Sequence, residues 1–382
     1  MFEFLSWLYI ITFFLCLLSY FVYPIVIWGI GKLFPFKLSK ENIEPTISII
    51  IPAYNEEKNI EQKIKNTLSL NYPKEKTEIL VASDGSTDKT GDILRKFSRD
   101  GVKIVENAVN QGKTTVQNDL VSRSKGDILI FTDAASFLEQ DAMLKLIQNF
   151  SNNQVGCVAG RMHYTNTEAN ITTQSQGLYW RYESKIRDLE SKIGHLIGVD
   201  GPLYAIRRDC YIPLSKNIIS DFITPLLVSK QKKKVVLEPN AVVYEDPTRK
   251  SSQELATRRR IVLRCLVSLL AHMDLLNPFK DPILAIQILL HKVLRWFVGI
   301  LVIINCLACV GLSGHWFFEK VLIVYLLFFV GAVLGWIGAH LGIKNKILMV
   351  PYYFVLVNMG ATLGIIDFFR KKQTISWKPV RE

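Results

Sequence analysis

The apolar residues of this chain gather at its two ends and leave a polar, alternating middle. Between Glu3 and Lys32 lie 28 consecutive uncharged residues. At about 1.5 Å of rise per residue, a helix of that length exceeds a bilayer core of roughly 30 Å. The run predicts a transmembrane anchor over residues 1–34. It lacks the basic start, the shorter apolar stretch and the small-residue cleavage site of a removable leader, so it is expected to be retained. Lys32, Lys37 and Lys40 follow it, and the positive-inside rule then puts the next segment in the cytoplasm. A second apolar block holds uncharged runs at residues 296–318, 321–343 and 347–366, each long enough to cross. One anchor plus three crossings would leave the basic tail, residues 370–382, on the outer face against the same rule. One of these segments is therefore expected to be re-entrant or interfacial.

From residue 44 to about 250 the pattern changes. β-branched apolar runs at residues 47–51, 78–82, 103–105 and 127–131 alternate with amphipathic stretches at 57–68 and 88–97. That alternation predicts βαβ units on a mainly parallel sheet, in a water-soluble domain long enough for its own core. Residues 251–281 read as interfacial amphipathic helices, and 282–369 as a C-terminal transmembrane region.

Composition supports this division. Of 382 residues, 49% are hydrophobic and 21% charged, which makes a purely soluble protein a poor fit. The net charge of +12 suits an anionic partner. The basic residues flank the apolar runs or cluster at Arg258, Arg259, Arg260 and Arg264, and no nucleic-acid motif is present, so orientation in a membrane explains the charge and no nucleic-acid partner is expected. Cys16, Cys157, Cys210, Cys265, Cys306 and Cys309 have no zinc-site spacing and are expected as free thiols in a reducing compartment.

In a parallel α/β sheet, ligands sit beyond the carboxyl ends of the strands. Three acidic stretches follow predicted strands: Pro52-Ala53-Tyr54-Asn55-Glu56-Glu57, Ser83-Asp84-Gly85-Ser86-Thr87-Asp88 and Thr132-Asp133-Ala134-Ala135-Ser136. Asp84 alone reads equally well as a cap, and Asp88 reads as the N-cap of the helix it precedes. Asn170-Ile171-Thr172 is a formal glycosylation sequon that a cytoplasmic domain would not present to the modifying machinery.

Together with Asn110-Gln-Gly-Lys113, Gly201-Pro-Leu-Tyr-Ala-Ile-Arg-Arg208 and Ser220-Asp221, these stretches resemble the membrane-bound family 2 glycosyltransferases, the group of hyaluronan, chitin and cellulose synthases. The resemblance spans residues 46–264 and the flanking apolar segments. It implies an α/β domain of the nucleotide-diphospho-sugar-binding GT-A fold beside transmembrane helices. It also implies an inverting transfer from a nucleotide sugar, with uridine diphosphate as the expected carrier, to a glycan or lipid-linked acceptor in polysaccharide or glycolipid synthesis at the cytoplasmic face of a cell membrane. By the same resemblance, Pro52, Ala53, Tyr54 and Glu56 line the base and ribose pocket, and Asp84 contacts the uridine. Lys113 supplies charge to the donor, and Asp133 ligates a divalent cation, Mg²⁺ or Mn²⁺, with the diphosphate. Asp221 is the general base, Gly201 belongs to the acceptor floor, and Trp180 borders the acceptor cleft. Arg260, and after it Arg258, bind the diphosphate.

Each assignment has a plainer counterpart. Asp221 could cap the helix that follows it, Lys113 could be a surface lysine, and the arginine cluster could hold lipid headgroups. The Gly177–Tyr182 stretch could simply be a helix packed on the sheet, and His195 and His291 have structural rather than metal-binding surroundings.

The sequence also departs from the family pattern. Ala134 and Ala135 follow Asp133, so the second carboxylate of Asp-x-Asp is missing. Thr257 and Ile261 stand where Gln-x-x-Arg-Trp is usual, and Ser220 replaces a glutamate. His291-Lys-Val-Leu-Arg-Trp296 instead resembles a branch with Thr-Asp-Ala-Asn in the metal loop. Two other functions remain open at this level: a processive synthase that extrudes its polymer, and an inactive scaffold or transporter with a sugar-binding domain.

Overall fold

A computed structural model describes residues 1–165, 171–247, 250–343 and 345–371; Asn170 and the tail beyond Lys371 lie outside the described residues. Eight described strands form one sheet: β1 (Ile47–Ala53), β2 (Thr77–Asp84), β3 (Val102–Asn107), β4 (Ile128–Phe131), β5 (Ser136–Leu138), β6 (Val155–Tyr164), β7 (Tyr204–Arg207) and β8 (Lys234–Glu245). Their order is β3-β2-β1-β4-β7-β6-β8-β5.

Two halves are visible in that order. Strands β3, β2, β1 and β4 are parallel neighbours, as the βαβ alternation predicts. Beyond β4 the sheet is mixed: β7 is antiparallel to both β4 and β6, β8 is parallel to β6, and β5 is antiparallel to β8. The expected mainly parallel sheet thus describes one half. Only residues 132–135 separate β4 from β5, too few for the crossover of a dozen or more residues that a parallel neighbour requires.

Strands β1 and β4 and most of β2 are buried on both faces, which explains their near-continuous apolar runs, whereas edge strand β3 is partly exposed. Successive side chains point to opposite faces of a strand. Ile49 and Ile51 of β1, Ile79 and Val81 of β2, and Ile128 and Ile130 of β4 therefore share one core layer. Ile50, Leu80, Leu129 and Phe131 share the other. The loops at the carboxyl ends of these strands are thereby carried on a rigid support.

Four described helices are long and apolar enough to cross a membrane: Phe2–Leu33, Pro282–Gly311, Trp316–Leu341 and Lys346–Phe369. The second begins well before the uncharged run that signalled it, and so takes in His291, Lys292 and Arg295. A further core joins these helices to the soluble part: Phe222, Ile223 and Leu226, then Val262, Cys265 and Leu269, meet Leu284, Ile288, Trp296, Ala361 and Ile365. Helix Ser251–Ala271 lies so close to Lys346–Phe369 that a Cβ on Gly364 would stand 2.6 Å from the Arg259 carbonyl oxygen.

Candidate active site

A cavity of about 1090 Å³ opens over the carboxyl ends of the parallel strands. Its wall includes Glu56 after β1, Lys113 at the start of helix Lys113–Arg123, Asp133 after β4, Asp221 at the start of helix Ser220–Lys230, and Arg258, Arg260 and Arg264 from helix Ser251–Ala271. Carboxylates and cations far apart in sequence are thus assembled by strand ends and two helix starts.

The tightest convergence is around Gly201. A Cβ built there would lie 3.0 Å from Lys113 Nζ, 3.1 Å from Asp221 Oδ2 and 3.3 Å from Asp133 Oδ2, so any side chain would press on all three groups. Lys113 pairs with Asp133 at 2.6 Å. Burial pulls the Lys113 ammonium down, but Asp133 and Asp221 outweigh it and hold it above the ordinary lysine value. Burial lifts the Asp221 carboxyl above its ordinary value, with Lys113 opposing and Asp133 reinforcing the shift. A carboxylate whose proton affinity is raised beside a fixed ammonium is suited to accept a proton.

Backbone chemistry fixes Asp221 against the floor. Pro225 lies inside the Asp221 helix and has no N–H to offer the carbonyl four residues back. The Asp221 carbonyl instead accepts from the Val199 N–H at 3.1 Å, which ties it to the segment leading into Asp200 and Gly201. On the other side, Thr132 donates to the Pro202 carbonyl at 2.7 Å and accepts from Lys63 Nζ at 2.7 Å. Lys63 is fully buried, donates also to the Ser136 carbonyl at 2.7 Å, and is pushed down to about 7 by burial, which the charge of Asp133 only partly offsets. This lysine braces the turn that presents Asp133, and no sequence signal marked it: a single lysine on an amphipathic helix reads as a surface residue.

The expected residues fall into three groups. Glu56, Lys113, Asp133, Trp180, Arg258, Arg260 and Asp221 line the cavity, with Gly201 against three of them. Pro52 and Ala53 end β1 and are buried, and Tyr54 follows them. Asp84 is fully buried and off the cavity wall; its oxygens accept from the N–H groups of Gln111 and Gly112 at 2.9 and 2.8 Å and from Asn107 at 3.1 Å. It therefore holds the turn that aims Lys113, a turn in which Gly112 has φ of +94°. Asp88 accepts from the Thr90 N–H at 3.0 Å, but it stands one residue ahead of the N-cap position expected of it, which Lys89 occupies.

Within the arginine cluster, Arg259 points away and donates to Asp367 at 2.7 Å. Arg258, Arg260 and Arg264 line the cavity, Arg258 while donating to Glu254 at 2.8 Å and lying over the Tyr179 ring. Trp180 donates to the Met162 carbonyl at 3.1 Å and so packs on the sheet while also bordering the cavity. Among the described residues, no three His, Cys, Asp or Glu side chains gather closely enough to hold a metal ion by themselves. A single carboxylate, Asp133, fits a cation that takes its remaining ligands from substrate phosphates and water, the usual manner of Mg²⁺.

Residues 48–211 match the family described as Glycosyl transferase family 2. The Bacillus subtilis protein named "Probable glycosyltransferase YdaM" is 35% identical over 144 residues, 35% of this chain and 34% of that protein. The poly-beta-1,6-N-acetyl-D-glucosamine synthase of Staphylococcus epidermidis is 27% identical over 165 residues, 39% of each chain. The matched segment spans between a third and two fifths of the length of these relatives. Among solved structures, the mannosyltransferase PcManGT from Pyrobaculum calidifontis, in complex with GDP-Man and Mn²⁺, superposes with a TM-score of 0.73 at 19% identity, over 96% of this chain and 100% of that one. The architecture is the GT-A fold beside long apolar helices.

Proposed function

We propose that this chain, a family 2 glycosyltransferase by its residues 48–211, moves a sugar with inversion from a nucleotide diphosphate to a glycan or lipid-linked acceptor, at the cytoplasmic face of a membrane crossed by its apolar helices. The observation that carries this reading is the meeting of Lys113, Asp133 and Asp221 at Gly201, on the wall of a cavity that Arg260 and Arg264 also line.

In this reading the acceptor hydroxyl oxygen attacks the anomeric carbon while its proton passes to the Asp221 carboxylate. The bond from that carbon to the diphosphate oxygen breaks, and its electron pair leaves with the nucleoside diphosphate. One base and one displacement invert the anomeric centre. Lys113, Arg260 and Arg264 offset the charge that grows on the leaving group, and guanidinium forks suit its oxygens. A divalent cation between Asp133 and the diphosphate would add Lewis-acid stabilisation of the same charge. Gly201 leaves room for the acceptor to lie against all three side chains.

The test is a panel of nucleotide sugars supplied to membranes containing the full chain, with and without EDTA. One donor is expected to be consumed, and chelation is expected to stop consumption until Mg²⁺ or Mn²⁺ is restored. Consumption of none of them would sink the reading.

A further inference from the structure

Three cations on the wall of the large cavity, Arg258, Arg260 and Arg264, come from one helix, Ser251–Ala271. Arg258 also lines a second cavity, of about 300 Å³, which shares Asp221 and Trp180 with the first. Successive residues of an α-helix point about 100° apart, so the rotation of this helix about its own axis decides which of its arginines the cavity receives. Turned by one residue, the helix would present Arg259 where Arg260 now stands.

The helix that sets this rotation is the last long one, Lys346–Phe369, and the contacts climb both helices in the same order. First, the Tyr353 hydroxyl donates to Glu254 Oε1 at 2.7 Å, and Arg258 Nε donates to the same oxygen at 2.8 Å. Glu254 and Tyr353 are both buried. Next, glycines bring the two backbones together. A Cβ on Gly360 would stand 2.8 Å from Arg258 Cβ and 3.1 Å from the Leu255 carbonyl oxygen, and one on Gly364 would meet Val262 Cβ at 3.1 Å as well as the Arg259 carbonyl. At the far end, Arg259 Nε and Nη2 both donate to the Asp367 carboxylate, the second at 2.7 Å.

An ion pair with a buried partner is a poor source of stability, because desolvation offsets much of the attraction. Its geometry is demanding, however: a guanidinium fork on a carboxylate fixes direction as well as distance. With Arg259 pointed at Asp367, Arg258 and Arg260 project about 100° to either side. Arg264, four residues after Arg260, shares its face. In this rotation all three reach the cavity wall.

We propose that Asp367 and Tyr353 are positioning residues for leaving-group stabilisation: they fix the rotation of helix Ser251–Ala271 and so aim Arg260 and Arg264 at the diphosphate. Neither residue lines either cavity, so both act through the helix. The inference rests on the transferase reading above and adds the residues that orient its arginines.

The test uses the full chain in vesicles, with the nucleotide sugar that the donor panel identifies and the nucleoside diphosphate of that donor as product inhibitor. Loss of folded enzyme lowers the apparent kcat alone, whereas misaimed arginines move KM and the inhibition constant. Asp367→Asn keeps the shape and removes the charge, and should raise both constants about tenfold. Gly364→Ala sets a methyl against the Arg259 carbonyl and should act in the same way. Tyr353→Phe removes one donor and should raise both constants about threefold. Exchanging the pair, Arg259→Glu with Asp367→Lys, should return them to within about threefold of the parent, since Arg259 is 36% exposed and leaves room for the longer side chain. Met359→Ala, on the exposed side of the same helix, should leave them within about twofold. Constants unmoved in Asp367→Asn and Gly364→Ala, no recovery in the exchanged pair, or an equal shift in Met359→Ala would each overturn the proposal and leave the transferase reading in place. Should Asp367→Asn not fold, Gly364→Ala and the exchanged pair decide. Consumption of no nucleotide sugar by the parent would overturn both.

Discussion

The two cavities that meet at Asp221 are built by different means. The larger one is floored by the parallel half-sheet: the loops after its strand ends deliver Glu56, Asp88, Lys113 and Asp133, and helix Ser251–Ala271 adds Arg258, Arg260 and Arg264. The smaller one is closed by helices Ile171–Lys192, Ser251–Ala271, Pro282–Gly311 and Lys346–Phe369 with a residue from the first helix. A site assembled from strand-end loops keeps its geometry from the sheet, whereas a site assembled between helices takes its geometry from side-chain pairs across their interfaces. Here those pairs are ionic. Both ring nitrogens of His291 face carboxylates, Glu190 at 2.6 Å and Glu183 at 3.1 Å. Glu183 and Arg187 lie one turn apart on one helix face, and Arg187 holds Asp200 next to Gly201.

If Asp221 is the shared member of both sites, its removal should separate them most sharply. Asp221→Asn keeps the shape and the carbonyl contact to Val199, so nucleotide binding by titration calorimetry should stay within about twofold of the parent while kcat for transfer falls by roughly 10²–10⁴, the usual share of a positioned general base. A loss of nucleotide affinity comparable to the loss of turnover would put Asp221 in the donor cavity alone. Retained turnover would mean that another group takes the proton, and no turnover in the parent with cellular function intact in the variant would favour a scaffold.

The same contrast governs what could be read from the sequence. The parallel half was legible because strand burial on two faces writes continuous β-branched runs, and because polar residues after those runs, Glu56, Lys113 and Asp133, reach the larger cavity. Asp84 was legible as important but not as to what it touches, since a carboxylate after a strand can face a ligand or the backbone N–H groups of the next loop. The mixed half was illegible because β7 and β8 find their partners through long-range pairing, which no local periodicity encodes. Uncharged runs alone are a poor guide to helix ends: His291, Lys292, Arg295 and Asp367 interrupt or border the runs at 296–318 and 347–366, whereas the helices extend from Pro282 and to Phe369 and take these residues in.

A second variant probes how far the larger cavity, the proposed donor site, depends on its loops. Asp84→Asn replaces one of two carboxylate oxygens that hold Gln111 and Gly112. Hydrogen bonds to a charged group contribute about 1.5–3 kcal/mol. Unfolding free energy, read from urea curves on the purified chain in detergent, should fall by about that amount, and the donor KM should rise through the misplaced Lys113 with the acceptor KM unmoved. A larger effect on the acceptor than on the donor would mean that this turn serves more than the donor site.

The smallest expected effect is also the most direct electrical test of the junction. With Asp221 as the proposed base, transfer requires it deprotonated, so kcat/KM should fall as pH drops through its pKa. Because that pKa is raised, the acid limb should lie above about pH 4, the ordinary aspartate position. Lys113 opposes the rise and Asp133 reinforces it, so the two variants should move the limb in opposite directions: Lys113→Met, which removes a stabilising cation from the carboxylate, to higher pH, and Asp133→Asn, which removes a like charge, to lower pH. Both variants weaken the donor site and lower the rate, but a rate loss without an electrostatic link leaves the midpoint in place. Each displacement should be no more than about one pH unit, since one unit already corresponds to about 1.4 kcal/mol between groups that also face water in an open cavity. Displacement of both midpoints in the same direction would mean that the group titrating in the profile is not the carboxylate beside Gly201, and the proton acceptor would then have to be sought elsewhere on the wall, with Glu245 and Asp246 as the next carboxylates lining it.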